Sequence, residues 1–320
     1  MSYYHIISDQ HANEKDCRLK LLVVNNTSAG YGEGAIYDYL RMLLQDGDEA
    51  VVRCTDGSTP AASLLEGADE FDMVVVSGGD GTVSSVSYAL AGTGIPILPF
   101  PAGTANLLVS NLHLPYEPHA LARVTRYMRT FDFDLGEIDA GGKKYGFEIM
   151  AGAGYDAAIM SGAQPAKKKL GPIAYFQAAL ANTRPKQSHL KVVIDGETHE
   201  CKGLGVLFVN FSHIQFEIPV THDTDARDGL FDVVILKASN AFELLPAVIG
   251  ALRDRDGEYP DRSESMEVYR GREIEVFADP PLEIQFDGEV PGVSTPFKVR
   301  VLDKAARFVL SDEGIKAFGE

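Results

Sequence analysis

An α/β domain with a parallel sheet, followed by a mostly β domain built as a sandwich, is the fold class this sequence predicts. Three observations carry it. Short apolar runs alternate with helix-period segments from Leu19 to Leu112, the rhythm of a parallel sheet with helices on both faces. From about Phe131 the helical segments thin out and strand candidates follow one another, the pattern of a sandwich. Several early strands end in Gly-, Asn- or Thr-rich turns, and open α/β sheets bind ligands beyond the carboxyl ends of their strands.

Leu19 to Asn25 reads as the first strand, with Asn26-Thr27-Ser28-Ala29-Gly30 as its turn. Ala35 to Leu44 has helical spacing, Ala50 to Cys54 is a short strand ending at Thr55, and Ala61 to Leu65 starts another helix. Phe71 to Val76 is a buried strand feeding Ser77-Gly78-Gly79-Asp80-Gly81-Thr82, after which Val83 to Leu90 reads as helix. Ile95 to Phe100 is the next strand, and Ala105 to Leu112 opens a helix. In the second half, Asp132 to Ile138, Lys144 to Met150, Lys191 to Ile194 and Gly203 to Asn210 read as strands. So do Leu230 to Leu236, Glu273 to Phe277, Leu282 to Phe286 and Phe297 to Val301, while Leu170 to Ala181 and Ala241 to Arg253 are helical.

The chain has 320 residues, room for about two domains. Its formal net charge of −17 argues against nucleic-acid binding, which needs a basic face. Contact with an anionic membrane would need a local basic patch, and Lys167, Lys168 and Lys169 beside the helix from Leu170 supply a candidate. A solvated loop flanking a core helix is the plainer reading of those lysines. Cys17, Cys54 and Cys201 make neither a zinc site nor a disulfide framework by spacing, as expected of reduced thiols in a cytoplasmic protein. Met1 to Lys20 has no signal-peptide core, and no apolar run approaches the roughly 18 residues of a membrane span.

The turn Gly78 to Thr82 is the most informative segment. Three glycines leave backbone N–H groups bare for close approach of an anion, and the following helix adds its positive end. Asp80 stands where a metal accompanying a phosphate would lie. The chain lacks the GxxxxGK[ST] pattern, so this is not a Walker-type loop. Pro101-Ala102-Gly103-Thr104-Ala105-Asn106 is a second turn after a strand. Taken alone, Thr104 reads as a helix cap; beside the first turn it reads as a second wall of a nucleotide cleft. Gly30-x-Gly32-x-x-Ala35 is a weak match to a dinucleotide fingerprint. Asp225-x-x-Asp228-Gly229-Leu230 could hold a hard cation or be a solvated acidic turn. Phe286-Asp287-Gly288-Glu289 is either a hairpin turn or a general base presented by a strand end.

In this order the motifs resemble the bacterial lipid kinases of the diacylglycerol kinase catalytic-domain family, relatives of sphingosine and ceramide kinases. Asn25 to Gly30, Gly78 to Thr82, Pro101 to Asn106, Gly152-Ala153-Gly154-Tyr155-Asp156-Ala157, Asp225 to Leu230 and Asp287 to Glu289 carry the resemblance, roughly from Leu19 to Val309. The glycine turn alone also looks like NAD kinases and phosphofructokinases. The resemblance implies an ATP-binding domain at residues 17–132, a lipid-substrate sandwich at 133–304, and a last segment, 305–320, returning to the first domain. It implies ATP contacts at Asn25, Thr55, Gly78, Gly79, Asp80, Gly81, Thr82, Val83, Ser84, Ser85, Gly103 and Thr104. It further implies a structural Mg2+ on Asp225, Asp228 and the Leu230 carbonyl, with Glu289 as proton acceptor and Asp80 as the second catalytic carboxylate. The expected activity is ATP-dependent phosphorylation of a lipid hydroxyl, diacylglycerol or a related lipid, by an enzyme peripheral at the membrane surface. A soluble-metabolite kinase such as an NAD kinase, and a non-catalytic lipid or nucleotide binder of the same fold, are the rival readings. The sequence departs from the family at Asn106-Leu107-Leu108-Val109, where Asn-Asp-Phe-Ala is usual, and at Ile214-Gln215-Phe216, where a glycine run is usual.

Overall fold

The computed structural model describes residues 18–29, 34–154, 187–211, 213–214, 218–219, 224–239, 243 and 265–319. The segment with Lys167 to Lys169, the helices expected at Leu170–Ala181 and Ala241–Arg253, most of the Gly30-x-Gly32 match and the Tyr155-Asp156-Ala157 end of one motif lie outside these residues.

The first half builds β1 (Lys20–Asn26), α1 (Ala35–Leu43), β2 (Glu49–Thr55), α2 (Ala61–Leu64), β3 (Met73–Gly78), α3 (Asp80–Ala89), β4 (Pro96–Pro101), α4 (Leu107–Asn111) and α5 (Pro118–Tyr127). The strands β2-β1-β3-β4 are parallel neighbours, as βαβ connections require. Their register aligns Asn26 with Thr55, Asn25 with Ser77, and Gly78 with Pro101. The carboxyl ends of β1 to β4 therefore stop at one edge. β3 is buried along its whole length, which explains its unbroken Met-Val-Val-Val run.

The second half builds β5 (Thr130–Ala140), β6 (Lys143–Phe147), β7 (Met150–Gly154), β8 (Ser188–Ile194), β9 (Glu197–Gly203), β10 (Gly205–Val209), the two-residue pair β11 (His213–Ile214) and β12 (Ile218–Pro219), β13 (Phe231–Leu236), β14 (Met266–Gly271), β15 (Glu273–Asp279), β16 (Ile284–Phe286), β17 (Phe297–Val309) and α6 (Asp312–Phe318). A five-stranded antiparallel sheet runs β14-β13-β10-β7-β16. Its apolar face packs on β8, β15, β5 and β17 around Phe147, Phe208, Phe231, Ile284 and Phe297. The α/β first half with a β-sandwich second half is thus the observed class.

One strand couples the two halves. β17 is 13 residues long, not the five expected from Phe297 to Val301. It pairs with β15 and β5 at its start and, through Arg307 and Phe308, lies parallel to β4 at its end. A bulge between Leu302 and Ala306 lets it bend, with Lys304 at positive φ donating its N–H to the buried Asp134 (2.6 Å). The result is a single ten-stranded sheet, parallel at one end and antiparallel at the other.

Other departures have local causes. The expected strand Lys144–Met150 divides into β6 and β7 because the amides of Glu148, Ile149 and Met150 leave the ladder and bond to the Asp287 carboxylate. α3 starts at Asp80, not Val83, so the glycine turn includes the helix's first turn. α4 starts at Leu107 because Asn106 is left-handed (φ 51°). The strand expected at Leu282–Phe286 shortens to β16 because the Leu282 N–H goes to the Thr295 hydroxyl. β9 and β14 escape the sequence reading because their residues are largely polar, as suits strands at sheet edges.

Candidate active site

The glycine turn is built by β3 delivering Gly78 and Gly79 to the N-terminus of α3. Gly79 is the N-cap, and its carbonyl accepts from Thr82 and Val83 (2.9 and 3.1 Å). The amides of Asp80 and Gly81 are then first-turn donors with no partner inside the helix. Thr82 folds back over Gly78, where a β-carbon would stand 2.6 Å from the Thr82 Cβ. Its hydroxyl accepts from Asn26 Nδ2 at 2.9 Å, tying the turn to the end of β1.

The second turn lies against the first. A β-carbon on Gly103 would stand 2.5 Å from the Gly79 Cα, so the two backbones touch. Asn106 fixes Gly103 from both sides: its Oδ1 accepts from Gly103 N (2.8 Å) and its Nδ2 donates to Gly103 O (2.9 Å). Asp80 bridges the turns. Its carboxylate accepts from Leu108 N at 3.2 Å, with the amides of Leu107 and Asn106 also turned to it. Burial raises the Asp80 carboxyl above its usual value, against the opposing pull of those amides.

The third component comes from the sandwich. Phe286 and Glu289 exchange backbone hydrogen bonds around Asp287 and Gly288, both at positive φ (43° and 84°). This is the pattern of a two-residue type I′ hairpin, for which Asp-Gly is a favoured pair. The hairpin also presents Glu289 to the first turn. A β-carbon on Gly81 would stand 2.3 Å from Glu289 Oε1. The hairpin and the presented-carboxylate readings of this motif therefore describe one structure.

Asp287 anchors the hairpin. The residue is half-buried, and its carboxylate points inward. Oδ2 accepts from Glu148 N (2.7 Å), and Oδ1 accepts from Ile149 N and Met150 N (3.0 and 3.2 Å). Burial pushes its carboxyl up to about 6, and the amides and Ser84 only partly offset this. Asn210 holds the same loop from β10's end, donating to the carbonyls of Glu148 (2.7 Å) and Asp134 (2.8 Å).

The remaining expected positions sort as follows. Asn25 and Thr55 sit buried at the same sheet edge; Thr55 accepts from Gly57 N through its hydroxyl and from Thr27 N through its carbonyl. A cavity of about 160 Å³ opens there, lined among others by Asn25, Asn26, Thr27, Tyr37 and Ser77. Thr104 and Ser85 are exposed. Val83 belongs to the core, and Ser84 turns its hydroxyl to the Gly146 carbonyl (3.3 Å), so neither side chain points outward from the turn. A larger open groove over His189, Lys191, Lys202 and Phe277 shares no residue with this cleft.

Asp225, Asp228 and Leu230 precede β13, on the loop whose Gly229 N–H goes to Asp134 (2.7 Å). Asp225 accepts from Arg227 N (3.0 Å), and Asp228 accepts from Leu230 N (2.9 Å) while pairing with Arg270. Arg270 also reaches Asp232 (3.3 Å). With Asp228 neutralised by a guanidinium, the set as arranged does not fit a magnesium ion. Among the described residues no group of three or more His, Cys, Asp or Glu side chains could hold a metal.

Sequence reasoning passed over Glu148 and Asn210. The signal for Glu148 was a single carboxylate within the otherwise apolar and glycine run Tyr145 to Gly154.

Comparison with known proteins agrees with this architecture. Residues 20–138 match the family model "Diacylglycerol kinase catalytic domain", and residues 150–310 match "YegS C-terminal NAD kinase beta sandwich-like domain". The chain belongs to the diacylglycerol kinase catalytic-domain family. It is 28% identical over 292 residues to a protein of Mycobacterium tuberculosis named diacylglycerol kinase, covering 88% of this chain and 94% of that protein. A Synechocystis protein named only as uncharacterized is 28% identical over 276 residues, 80% of this chain, and the chain spans 60% of its length. A crystal structure titled as a diacylglycerol kinase from Bacillus anthracis superposes with a TM-score of 0.69 at 18% identity, covering 92% of this chain and 98% of that one. Among the described residues of this family member, no helix is long and apolar enough to cross a membrane.

Proposed function

We infer that this chain transfers the γ-phosphoryl group of ATP to the hydroxyl of a membrane lipid, with diacylglycerol as the first candidate because relatives carry that name. The observation that carries the reading is Glu289 lying on Gly81: a carboxylate from the sandwich reaches the turn suited to phosphates. In this reading the amides of Asp80 and Gly81, at the positive end of α3, donate to phosphate oxygens. The bare backbones of Gly79 and Gly103 let the phosphates approach. Glu289 accepts the lipid hydroxyl's proton and aligns its oxygen for in-line attack. Asp80 sets the spacing of the two turns. Magnesium enters with ATP as part of the donor substrate.

Labelled ATP offered with diacylglycerol vesicles, sphingoid-base vesicles, phosphatidylglycerol vesicles or NAD tests this directly. The expected product is a phosphorylated lipid. Phosphorylated NAD alone would establish the soluble-metabolite reading, and ATP binding with no turnover on any acceptor would establish a binder. The same vesicles test the proposal that Lys167, Lys168 and Lys169 dock the enzyme on the membrane. Replacing all three by Glu is expected to weaken binding to anionic vesicles and leave ATP affinity unchanged; equal vesicle binding would reject the patch.

Asp287 gives the site a pH signature. Its folded value of about 6 lies above the ordinary carboxylate range near ~4. The folded state therefore holds this proton more tightly than the unfolded chain does. The stability it contributes is fully present below the unfolded value and is lost as pH rises through about 6. Turnover runs the other way: protonating Asp287 removes an acceptor from the three amides that fix the Glu289 hairpin. We expect kcat to fall on acidification with a midpoint near pH 6, while Tm rises. A pH–rate profile flat down to about pH 4 would remove Asp287 from this role.

A further inference from the structure

We propose that Glu148 is a positioning residue of this site: a buried carboxyl that, wedged between α3 and the Asp287–Gly288 hairpin, holds Glu289 against the phosphate turn. The proposal rests on the reading of the cleft as a kinase centre and names a residue that reading does not use.

Glu148 is 1% exposed; neither of its carboxyl oxygens makes a well-formed hydrogen bond, and the Ser87 hydroxyl that faces them favours the ionised form less than burial disfavours it. Its position is fixed on two sides, by Asp287 accepting its N–H and by Asn210 donating to its carbonyl. The groups facing its carboxyl from the packed elements are Asp287 on the hairpin, and Ser87 and Asp80 on α3. Ser87 is itself buried, and its hydroxyl has no hydrogen-bond partner apart from this carboxyl. Two of these three neighbours are carboxylates, and among the described residues no cation faces the Glu148 carboxyl.

An ionised carboxylate in that position would be dry, met by a single hydroxyl and repelled from two sides. Burial first, and then the Asp287 and Asp80 charges, raise the Glu148 carboxyl well above its ordinary value. Protonated, it loses the repulsion and gains an O–H donor beside the Asp287 carboxylate. Glu148 and Asp287 then act as a coupled pair in which burial and the neighbouring charge make Glu148 hold its proton well above the ordinary carboxylate range. A further proton arrives at Asp287 on acidification through about pH 6, and the Glu148 proton leaves as pH rises. Losing it sets three carboxylates against each other between α3 and the hairpin, and the hairpin carries Glu289.

The test is a pair of substitutions in the full chain. Glu148→Ala removes the wedge, and is expected to lower kcat by about 10- to 100-fold with little change in KM for ATP, because misplacing the base costs rate rather than nucleotide affinity. Glu148→Gln keeps the shape and the neutral state. It is expected to recover most of that loss and to shift the alkaline limb of the pH–rate profile upward. Without substrates, the Tm of Glu148→Gln should exceed that of the parent by a margin that widens from about pH 5 to about pH 9, since only the parent must give up a proton. An infrared band of a buried protonated carboxyl should be present in the parent and absent in Glu148→Gln. Loss of turnover in the Gln variant equal to that in the Ala variant would mean that an ionised carboxylate is required, and overturns the proposal. A pH-independent Tm margin, or no infrared difference, overturns it as well. If the parent phosphorylates no acceptor, the kinase reading fails, while the Tm and infrared results still decide whether the proton is held.

Discussion

Glu289→Gln should fold like the parent, bind ATP like the parent, and turn over about 10²- to 10⁴-fold more slowly. The side chain is exposed and takes no part in the backbone bonds that close the hairpin or in the Asp287 carboxylate bonds that anchor it. Its amide isostere therefore disturbs stability by no more than about 0.5 kcal/mol. What it removes is the acceptor for the lipid hydroxyl's proton, in the carboxylate that lies on Gly81. Gly81→Ala reaches the same result from the other side. Its β-carbon would stand 2.3 Å from Glu289 Oε1, the free end of a flexible side chain, so the carboxylate moves and the fold does not. Alanine also favours the first turn of α3 over glycine, by up to about 1 kcal/mol. We therefore expect a variant as stable as the parent or more so, with kcat reduced at least about tenfold. Full turnover of Glu289→Gln on lipid would take Glu289 out of the chemistry. Full turnover of Gly81→Ala would show that the carboxylate need not occupy this position.

How much of this was legible depends on where each signal is stored. The parallel sheet was readable because its strands are apolar, β-rich and punctuated by Gly, Asn and Thr, all local properties. The glycine turn and the Asp287–Gly288 hairpin were readable because positive φ and bare backbone demand particular residues at particular places. The continuity of β17 was not readable. Its middle, Leu302 to Ala305, looks like a polar break, and only the buried Asp134 accepting from Lys304 makes it a bulge within one strand. The break between β6 and β7 was invisible for a similar reason: the acceptor of its amides, Asp287, lies 137 to 139 residues away. Glu148 shows the limit most clearly. Its burial follows from that break, and its environment comes from α3 and the hairpin, neither adjacent in the chain. Thr104 shows the converse case. A capping role is what its local sequence suggests, yet the α4 amides are met by Asp80 from another helix, leaving Thr104 exposed at the turn.

Gly103→Ala should damage both stability and ATP binding, and so differ in kind from Gly81→Ala. The added β-carbon would stand 2.5 Å from the Gly79 Cα and 3.3 Å from the Gly79 N, backbone atoms at the start of α3 that cannot swing aside. It would also stand 2.9 Å from Asn106 Oδ1, the atom that accepts the Gly103 N–H. Relief requires either that the two turns separate or that the Asn106 clamp opens. The first moves Asp80 away from the α4 amides it accepts, and the second frees two buried hydrogen-bonding groups of Gly103. Either route costs about 1–3 kcal/mol, the usual range for overpacking a filled site. Because the two turns together form the walls proposed for the phosphates, the same displacement should raise the ATP Kd by about tenfold or more, equivalent to ~1.4 kcal/mol. Thermal unfolding and calorimetric titration with ATP measure the two effects separately. A variant with lowered Tm and unchanged ATP Kd would mean that the turns touch for packing alone, and the nucleotide would then have to lie elsewhere along the strand ends, nearer the cavity at Asn25 and Ser77.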